Sequence, residues 1–310
     1  MTDYSRQSFL GANCPLILGN AKIGLVGYGG GGSHYGQQFG HIGIGNFVVV
    51  DDDVIEESNR HRFVGSEPDD IDADDPSNSM AKVDIARRQI LRGNPNAVVT
   101  ALRCRWQDAT NALAECDIIF GAVDSFAQRD ELERFCRRNL IPYIDIGMVV
   151  TKLDNGDFAI SGQVVQSLPG SHCLRCCNIV TDDRIADEAD QYGDAGSEPQ
   201  VIWPNGVLAS TAVGFGVALL TPWCRSERRL RWLTYDGNVG TLTEPKIVSE
   251  YLAGTSCPHH PECEVGDPFA DVRLWRPTPD SKEMAKQAST WLDKCLSWLR
   301  SKVLDSRHRP

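Results

Sequence analysis

Short apolar runs alternate with segments of helical spacing through the first half of the chain. Residues 22–27 (KIGLVG) and 46–50 (NFVVV) are continuous apolar runs with the length and composition of buried strands. Comparable runs follow at 97–102, 117–123 and 142–147, and the segments of helical spacing are 33–39, 80–91 and 126–139. Strands that alternate with helices predict a parallel sheet with helices on both faces.

The pattern changes after residue 149. Residues 158–167 and 229–237 have the composition of antiparallel strands, and a glycine-rich segment of helical spacing lies between them at 205–220. We expect these strands to continue the same sheet. The chain is therefore predicted to be an α/β protein with a Rossmann-like, doubly wound, mostly parallel sheet that antiparallel strands continue. A C-terminal helix is predicted at 281–304, either packed on the main domain or docking a partner.

Composition and charge limit the kinds of partner that this protein can bind. The formal net charge of −11 repels a phosphate backbone, which argues against a nucleic-acid partner. No stretch approaches the roughly 18 to 20 apolar residues of a membrane span, and the first residues, MTDYSRQSFLG, lack the basic and apolar regions of a signal peptide. We therefore expect a cytoplasmic protein that binds neither nucleic acid nor membrane.

A glycine-rich segment, VGYGGGGSHYG at 26–36, follows the first predicted strand. Gly27, Gly29 and Gly32 fit the dinucleotide fingerprint G-x-G-x-x-G, and Gly30 adds a further glycine in the same turn. Glycines at a strand end allow a phosphate to approach the backbone closely. The segment predicts a nucleotide site, and both NAD and ATP fit it.

The residues after the second strand favour ATP. Asp51 and Asp53 lie at its acidic carboxyl end, where Asp51 can hold ribose hydroxyls for either nucleotide. Asn59, Arg62 and Lys82 follow, and all three donate hydrogen bonds to phosphate oxygens. A nicotinamide enzyme does not need three such groups there. The alternative for the two cations is a solvated surface position.

Asp124 ends the fourth predicted strand. A carboxylate at this edge of the sheet can hold a magnesium ion that bridges phosphates. The alternative for Asp124 is a capping role for the helix predicted to begin at Phe126, and the two roles are compatible.

This ordered set resembles the ubiquitin-activating-enzyme-like adenylyltransferases, the family that includes the ThiF, MoeB and HesA group. The resemblance extends from about residue 4 to 263, from YSRQ through SGQVVQSLPGSHCLRC and WPNGVLASTAVGFGVALL to a cysteine-containing tail. It implies an N-terminal arm at 1–20, an ATP-binding adenylation domain at 21–245 and a C-terminal zinc-ligand segment with its helix at 246–310. The matching nucleotide-site positions are Gly27, Gly29, Gly30, Gly32, Asp51, Asn59, Arg62, Lys82 and Asp124.

The activity implied by the resemblance is attack of a carboxylate on the α-phosphate of ATP, which releases pyrophosphate and leaves an acyl adenylate. The implied substrate is the C-terminal carboxylate of a ubiquitin-like β-grasp protein, for sulfur transfer or protein conjugation. The implied catalytic groups are Arg62, Lys82, Mg²⁺ on Asp124 and Arg6. The arm of a homodimer partner would bring Arg6 to the neighbouring site.

The cysteines divide into a metal set and thiols without an assigned role. Cys173 and Cys176 form a C-x-x-C, and the resemblance implies a structural zinc that needs two further ligands. A second C-x-x-C is absent from the tail CPHHPECEVGDP. Cys257 with Cys263 is the first choice for the remaining ligands, and Cys257 with His260 is the second.

Some members of this family pass the acyl group to a cysteine that follows the first C-x-x-C. Residues 178–223 contain no cysteine, so we expect direct transfer to a sulfur donor or a carrier protein, with Cys177 as the exception to test. Three other functions stay open. They are adenylation of a tRNA-linked or peptide carboxylate, an NAD-dependent oxidoreductase, and an inactive scaffold subunit.

Overall fold

The computed structural model describes residues 3–190, 199–224, 231–252, 255–260 and 265–266. Its centre is one eight-stranded sheet with the order β3-β2-β1-β4-β5-β6-β7-β8. The strands are β1 (Lys22–Val26), β2 (Asn46–Val50), β3 (Val98–Leu102), β4 (Ile118–Gly121), β5 (Tyr143–Lys152), β6 (Phe158–Ser167), β7 (Arg231–Asp236) and β8 (Thr241–Thr243). The first five pair in parallel and β5 to β8 pair antiparallel, so the predicted fold class is confirmed.

Helices cover both faces of the parallel part. They are α1 (Cys14–Asn20), α2 (Gly30–Ile42), α3 (Glu57–Arg60), α4 (Lys82–Gly93), α5 (Thr110–Leu113), α6 (Phe126–Arg138), α7 (Asp182–Asp190) and α8 (Ile202–Leu220), and a 3-10 helix forms at Ser5–Leu10. The predicted C-terminal helix at 281–304 lies outside the described residues.

Alternate residues of each central strand enter two different cores. In β1, Ile23 and Leu25 pack into the core with α2, α4 and α8, whereas Val26 packs into the core with α5 and α6. Because both faces are covered, the central strands are apolar at every position, which is the pattern that marked them in the sequence. The crossover helices α2 and α6 lie on opposite faces, so the sheet is wound in both directions from the β1–β4 pair.

Helix α2 begins earlier than the sequence indicated. Helical spacing predicted a start at residue 33, but the helix starts at Gly30 and includes three of the four consecutive glycines. Close packing around the glycines explains why the helix can start early. A Cβ at Gly31 would lie 2.6 Å from Ile146 Cδ1, and one at Gly32 would overlap the carbonyl oxygen of Gly27. The glycines therefore let the first turn of the helix pack directly on the sheet.

Helix α8 is apolar on nearly all sides. By length and composition alone this 19-residue helix could cross a membrane, contrary to the expectation that no stretch would reach that length, and half of it is buried. Its buried side packs against β5, β6 and α2. The core of the extended sheet accounts for this composition, because a helix buried among other elements is hydrophobic all round.

Candidate functional site

The carboxyl ends of β1, β2 and β4 meet where the sheet changes winding direction. Gly27 N–H donates to the Val50 carbonyl at the end of β2, and Ala122 N–H donates to the Val26 carbonyl at the end of β1. The glycine loop, Asp51 and Asp124 therefore leave the sheet side by side. Crevices of this kind are where doubly wound sheets bind their ligands.

The glycine loop turns sharply and opens onto free space. Gly27 has a φ of 82°, and a Cβ there would lie 2.6 Å from the carbonyl oxygen of Ala122, so no other residue fits without strain. Gly29 is the N-cap of α2, and no other group lies within 4 Å of the place where its Cβ would be. The N-terminus of this 13-residue helix therefore lies beside open space at Gly29, and a helix N-terminus suits an anion such as phosphate.

Tyr28 anchors this loop to α4 and to the end of β2, a role that the sequence did not indicate. Its hydroxyl donates to Gln89 Oε1 on α4 at 2.6 Å, and Gly36 leaves room for the ring because a Cβ there would overlap the hydroxyl. The Tyr28 backbone N–H donates to Asp51 Oδ2, also at 2.6 Å. A fully buried tyrosine therefore fixes the loop to α4, while its backbone fixes the loop to the end of β2.

Asp51, Asp53 and Lys82 form one charged group. Lys82 Nζ lies 2.6 Å from Asp53 Oδ2 and 3.9 Å from Asp51 Oδ1, and Asp51 Oδ1 accepts the Asp53 N–H at 3.0 Å. Burial raises the pKa of Asp51 even though Lys82 and two N–H groups oppose the shift. Burial alone would lower the pKa of Lys82, but the carboxylates of Asp51, Asp53 and Asp124 outweigh it and raise that pKa. Lys82 is therefore held as a cation at the mouth of the crevice.

Asp124 lies at the end of β4 and is not the helix cap. Ser125 is the N-cap of α6, and its hydroxyl accepts the Gln128 N–H at 3.3 Å, so the capping alternative for Asp124 is wrong. The side chain keeps contact with solvent, yet the dense surroundings of the crevice raise the pKa of Asp124. Lys82, Arg62 and Arg129, in that order, act against this shift. Asp124 is thus a carboxylate on which the charges of three cations act.

Arg62 reaches over the start of α2. Its Cδ lies 3.6 Å from the position of a Cβ on Gly30, and one guanidinium N–H donates to the Ser58 carbonyl at 2.7 Å. Asn59, on α3, accepts the Arg62 backbone N–H at its carbonyl, and its own amide donates to the Ser58 hydroxyl. Within the described residues, the structure therefore brings Arg62 to the glycine loop but links Asn59 only to its own helix and to Arg62.

Arg129 is a buried structural partner of the site. Its guanidinium bonds to both carboxylate oxygens of Asp145 on β5, and the Tyr143 hydroxyl donates to Asp145 Oδ1 at 2.9 Å. Asp145 and Tyr143 have no solvent exposure. This arrangement occupies the hydrogen-bonding groups of Arg129 inside the protein, so the first turn of α6 is fixed behind Asp124.

Arg6 lies far from the glycine loop of its own chain. It is exposed on the 3-10 helix Ser5–Leu10, which follows Tyr4. The ring of Tyr4 lies against Gly43, at the carboxyl end of α2, because a Cβ on Gly43 would be 2.7 Å from Tyr4 Cζ. The glycine loop is at the opposite end of this 13-residue helix, roughly 20 Å away at 1.5 Å per residue.

A second group of chemically active side chains lies beyond α6. The Sγ atoms of Cys173 and Cys176 are 3.7 Å apart, and those of Cys176 and Cys257 are 3.6 Å apart. His259 Nδ1 lies 3.5 Å from Cys173 Sγ and 3.4 Å from Cys176 Sγ. These four atoms are close enough to one another to share one metal ion. Cys263, the first choice from the sequence, lies outside the described residues.

The structure places His259 beside the cysteines, whereas the sequence had indicated its neighbour His260 as a possible ligand. His260 is buried near Glu133 and Cys173, whereas His259 faces Cys173 and Cys176. The adjacent histidines of CPHHPEC gave no spacing that favours one over the other. A C-x-H spacing from Cys257 was the signal available for His259.

Helix α6 connects this cysteine group to the nucleotide crevice. Arg137 donates to the carbonyls of Ser171 and His172, both at 2.9 Å, and Glu133 accepts the Leu174 N–H at 3.0 Å. Burial raises the pKa of Glu133 to about 7, against the opposing effect of Arg137. The backbone around the C-x-x-C is therefore held by the same helix that begins beside Asp124.

Cys177 is a core residue. It is 2% exposed and packs with the apolar residues around α6, and burial raises the pKa of its thiol well above the usual value. A reactive cysteine needs an accessible thiolate. Burial therefore argues against a thioester at Cys177.

Comparison with known proteins gives the family. Residues 4–254 match the model of the ThiF family. A SAMP-activating enzyme E1 of Haloferax volcanii is 31% identical over 180 residues, which are 56% of this chain and 60% of that protein. The molybdopterin-synthase adenylyltransferase of Escherichia coli is 28% identical over 157 residues, which are 46% of this chain and 60% of that protein.

The chain thus spans 60% of the length of both relatives. A crystal structure of Escherichia coli MccB with ATP has a TM-score of 0.60 at 22% identity, over 78% of this chain and 70% of that one, a likeness of fold. Because the family model matches far more than half of the chain, this protein belongs to the ThiF family.

Proposed function

We propose that the protein is an ATP-dependent adenylyltransferase that activates the C-terminal carboxylate of a ubiquitin-like protein. The observation that carries this proposal is the group of charged side chains beside the glycine loop, where Lys82 pairs with Asp51 and Asp53 and Arg62 lies over the start of α2. The charges of Lys82 and Arg62 also act on Asp124 at the end of β4. Cations that surround a carboxylate beside a helix N-terminus suit the triphosphate of ATP and its metal ion. A dinucleotide that only donates hydride leaves Lys82, Arg62 and Asp124 without a task.

The proposed reaction needs no proton transfer. A carboxylate is already ionised at pH 7. One of its oxygens attacks the α-phosphorus, the bond from that phosphorus to the bridging oxygen of the β-phosphate breaks, and pyrophosphate leaves with the electron pair. Asp124 would hold a magnesium ion, which would neutralise phosphate charge. The chain's own task is to position the groups and stabilise the negative charge, which we assign to Lys82 and Arg62.

Two features support a protein carboxylate as the substrate. The relatives named above are an activating enzyme for SAMP and an adenylyltransferase for molybdopterin synthase. The acceptor is a separate question: residues 178–223 contain no cysteine, so we propose that the activated carboxylate passes to an external acceptor. The net charge of −11 disfavours the tRNA alternative.

We further propose that Cys173, Cys176, Cys257 and His259 hold a structural zinc ion. Tetrahedral zinc with S and N ligands at about 2.3 and 2.0 Å requires S–S separations of about 3.8 Å and S–N separations of about 3.5 Å. The observed values of 3.6 to 3.7 Å and 3.4 to 3.5 Å fit this geometry. Four protein ligands close the coordination sphere, so the zinc would fix the tail to the core and take no part in the chemistry.

One experiment tests the proposed activity. The protein is mixed with ATP, Mg²⁺ and a set of ubiquitin-like proteins that end in Gly-Gly, and exchange of labelled pyrophosphate into ATP is measured. We expect exchange with at least one carrier, and its acyl adenylate should be found by mass spectrometry. A melting temperature that rises with NAD but not with ATP, together with no exchange for any carrier, would exclude the adenylyltransferase.

We also propose that the active form is a homodimer in which each arm reaches its partner's site. The arm that carries Arg6 packs through Tyr4 at the carboxyl end of α2, roughly 20 Å along that helix from the glycine loop, so we propose that Arg6 stabilises phosphate charge in another subunit. Arg6→Ala is expected to lower pyrophosphate exchange about a hundredfold, the usual effect of losing one charge-stabilising group. The two variants Arg6→Ala and Asp124→Ala should each be nearly inactive alone.

Mixed dimers of these two variants should regain activity. Half of randomly exchanged dimers contain one chain of each kind, and each such dimer has one site with both an intact Asp124 and an intact Arg6 from the other chain. The mixture should therefore show about one quarter of wild-type exchange. A mixture no more active than the two variants separately, in dimers shown by mass spectrometry to be mixed, would place Arg6 outside the site.

A further inference from the structure

Helices α2 and α8 run side by side in the same direction. Gly30 lies next to Asn205, the His34 ring lies against Gly206, and Gln38 donates to the Ser210 hydroxyl at 3.0 Å. The residue numbers of the contacting pairs rise together along α2 and α8, so the two helices are parallel. Two helix N-termini meet beside the glycine loop, and the positive ends of both helix dipoles point toward one crevice.

Asn205 is the polar side chain where these two ends meet. It is 7% exposed, and its amide nitrogen lies only 2.6 Å from the position of a Cβ on Gly30, the first residue of α2. Arg62 Cδ lies 3.6 Å from the same point. The amide therefore occupies the wall of the crevice between Arg62 and the first turn of α8.

The amide of Asn205 has hydrogen-bonding capacity to spare. Its nitrogen carries two N–H groups, and within the described residues one acceptor, the Val201 carbonyl at 3.3 Å, lies within reach. A neutral N–H donor at this place can bind a second anion beside the phosphates. It brings no negative charge of its own, unlike Asp51 and Asp124.

We propose that Asn205 binds the carboxylate that attacks ATP and afterwards the carbonyl oxygen of the acyl adenylate. This inference rests on the proposed adenylyltransferase function. The attacking carboxylate and the α-phosphate are both anions, so their approach requires donors that face the carboxylate itself. An N–H of Asn205, together with the N-terminus of α8, supplies them next to Arg62 at the start of α2.

The same donor serves before and after the bond is made. One carboxylate oxygen becomes the bridge to the α-phosphorus as the bond to the pyrophosphate oxygen breaks. The other oxygen accepts from Asn205 throughout, first as half of a carboxylate and then as the carbonyl oxygen. No proton is gained or lost, and pyrophosphate takes the electron pair of the broken bond.

The test compares two nucleotides that need no carrier protein. AMP carries the phosphate alone, whereas 5′-O-(glycylsulfamoyl)adenosine carries an acyl group in the place that the adenylate carbonyl takes. Titration calorimetry on the full chain is expected to show tighter binding of the glycylsulfamoyl compound by wild type. In Asn205→Ala we expect that preference to fall about tenfold while AMP affinity changes less than about twofold, since one hydrogen bond is lost.

The control is Ser210→Ala, which removes the Gln38 hydrogen bond between the same two helices but lies farther along them from the crevice. It should leave the preference for the acyl compound unchanged. Asn205→Asp is a second variant with the same shape, and a carboxylate near a helix N-terminus does not oppose folding. It should lose the preference as fully as Asn205→Ala.

Two results would overturn the assignment. If the preference for the acyl compound survives in both variants at Asn205, this residue does not contact the acyl group. If AMP and the acyl compound weaken equally, Asn205 acts only on the shape of the crevice. A wild-type protein that binds neither AMP nor ATP would instead overturn the proposed function itself.

Discussion

Asp124→Ala is expected to reduce pyrophosphate exchange by about a thousandfold or more and to leave the fold intact. The carboxylate is the proposed anchor of the magnesium ion, and loss of a metal that neutralises phosphate charge removes several kcal/mol of transition-state stabilisation. Stability should not fall with activity. Asp124 is exposed and caps no helix, so the variant should melt close to the wild-type temperature.

The matched control is Asp117→Asn, which lies at the other end of the same strand. Asp117 accepts the Lys22 N–H at 2.8 Å on the amino edge of the sheet, away from the crevice. We expect exchange within about twofold of wild type, because no ligand contact is lost. An Asp124→Ala protein that folds and still exchanges pyrophosphate at the wild-type rate would refute the magnesium role.

The nucleotide end of the molecule could be predicted because its signals are local. Strands that are buried on both faces are apolar at every position, and the residues that follow them must lie at the ligand edge of the sheet. Asp51 and Asp124 were predicted from that rule, and Lys82 was predicted as a phosphate donor at the start of the next helix. In the structure, Lys82 contacts Asp51 and Asp53, and it also acts on Asp124.

Groups that depend on distant parts of the chain could not be found in this way. Asn205 meets Gly30 across 175 residues, and the Tyr28 hydroxyl meets Gln89 across 61 residues. No periodicity in the sequence links such pairs, since each depends on how two helices pack. The four-glycine run indicated only that something approaches the backbone. Part of what approaches is protein, because Asn205 and Ile146 occupy the space that side chains at Gly30 and Gly31 would fill.

The burial of the charged residues in helix α6 could not be predicted from the sequence either. Its sequence, FAQRDELERFCRR, is rich in ionisable residues, yet most of them are buried. Arg129 pairs with Asp145, and Asp130 pairs with Arg175, which is 45 residues away. Buried charges require such partners, so their burial can be understood only when the whole fold is known. The pairs make α6 a rigid connection between the crevice and the cysteine group.

Substitution of a metal ligand should have the second largest effect, and the property that it changes should be the stability of the fold. Structural zinc contributes directly to folding free energy, so Cys176→Ser is expected to lose the ion and several kcal/mol of stability. For a chain of this size that corresponds to a fall in melting temperature of roughly 10 °C or more. Metal content by mass spectrometry should fall from about one zinc per chain to near zero.

Three single variants then decide the fourth ligand. His259→Ala should lose zinc as fully as Cys176→Ser, because His259 Nδ1 lies 3.4 and 3.5 Å from two of the sulfur atoms. His260→Ala and Cys263→Ser should both retain it. His260→Ala should still melt at a lower temperature, because its ring is 6% exposed and its removal leaves a cavity beside Glu133. Zinc that stays in His259→Ala and leaves in Cys263→Ser would make Cys263 the ligand, as the spacing of the tail first indicated.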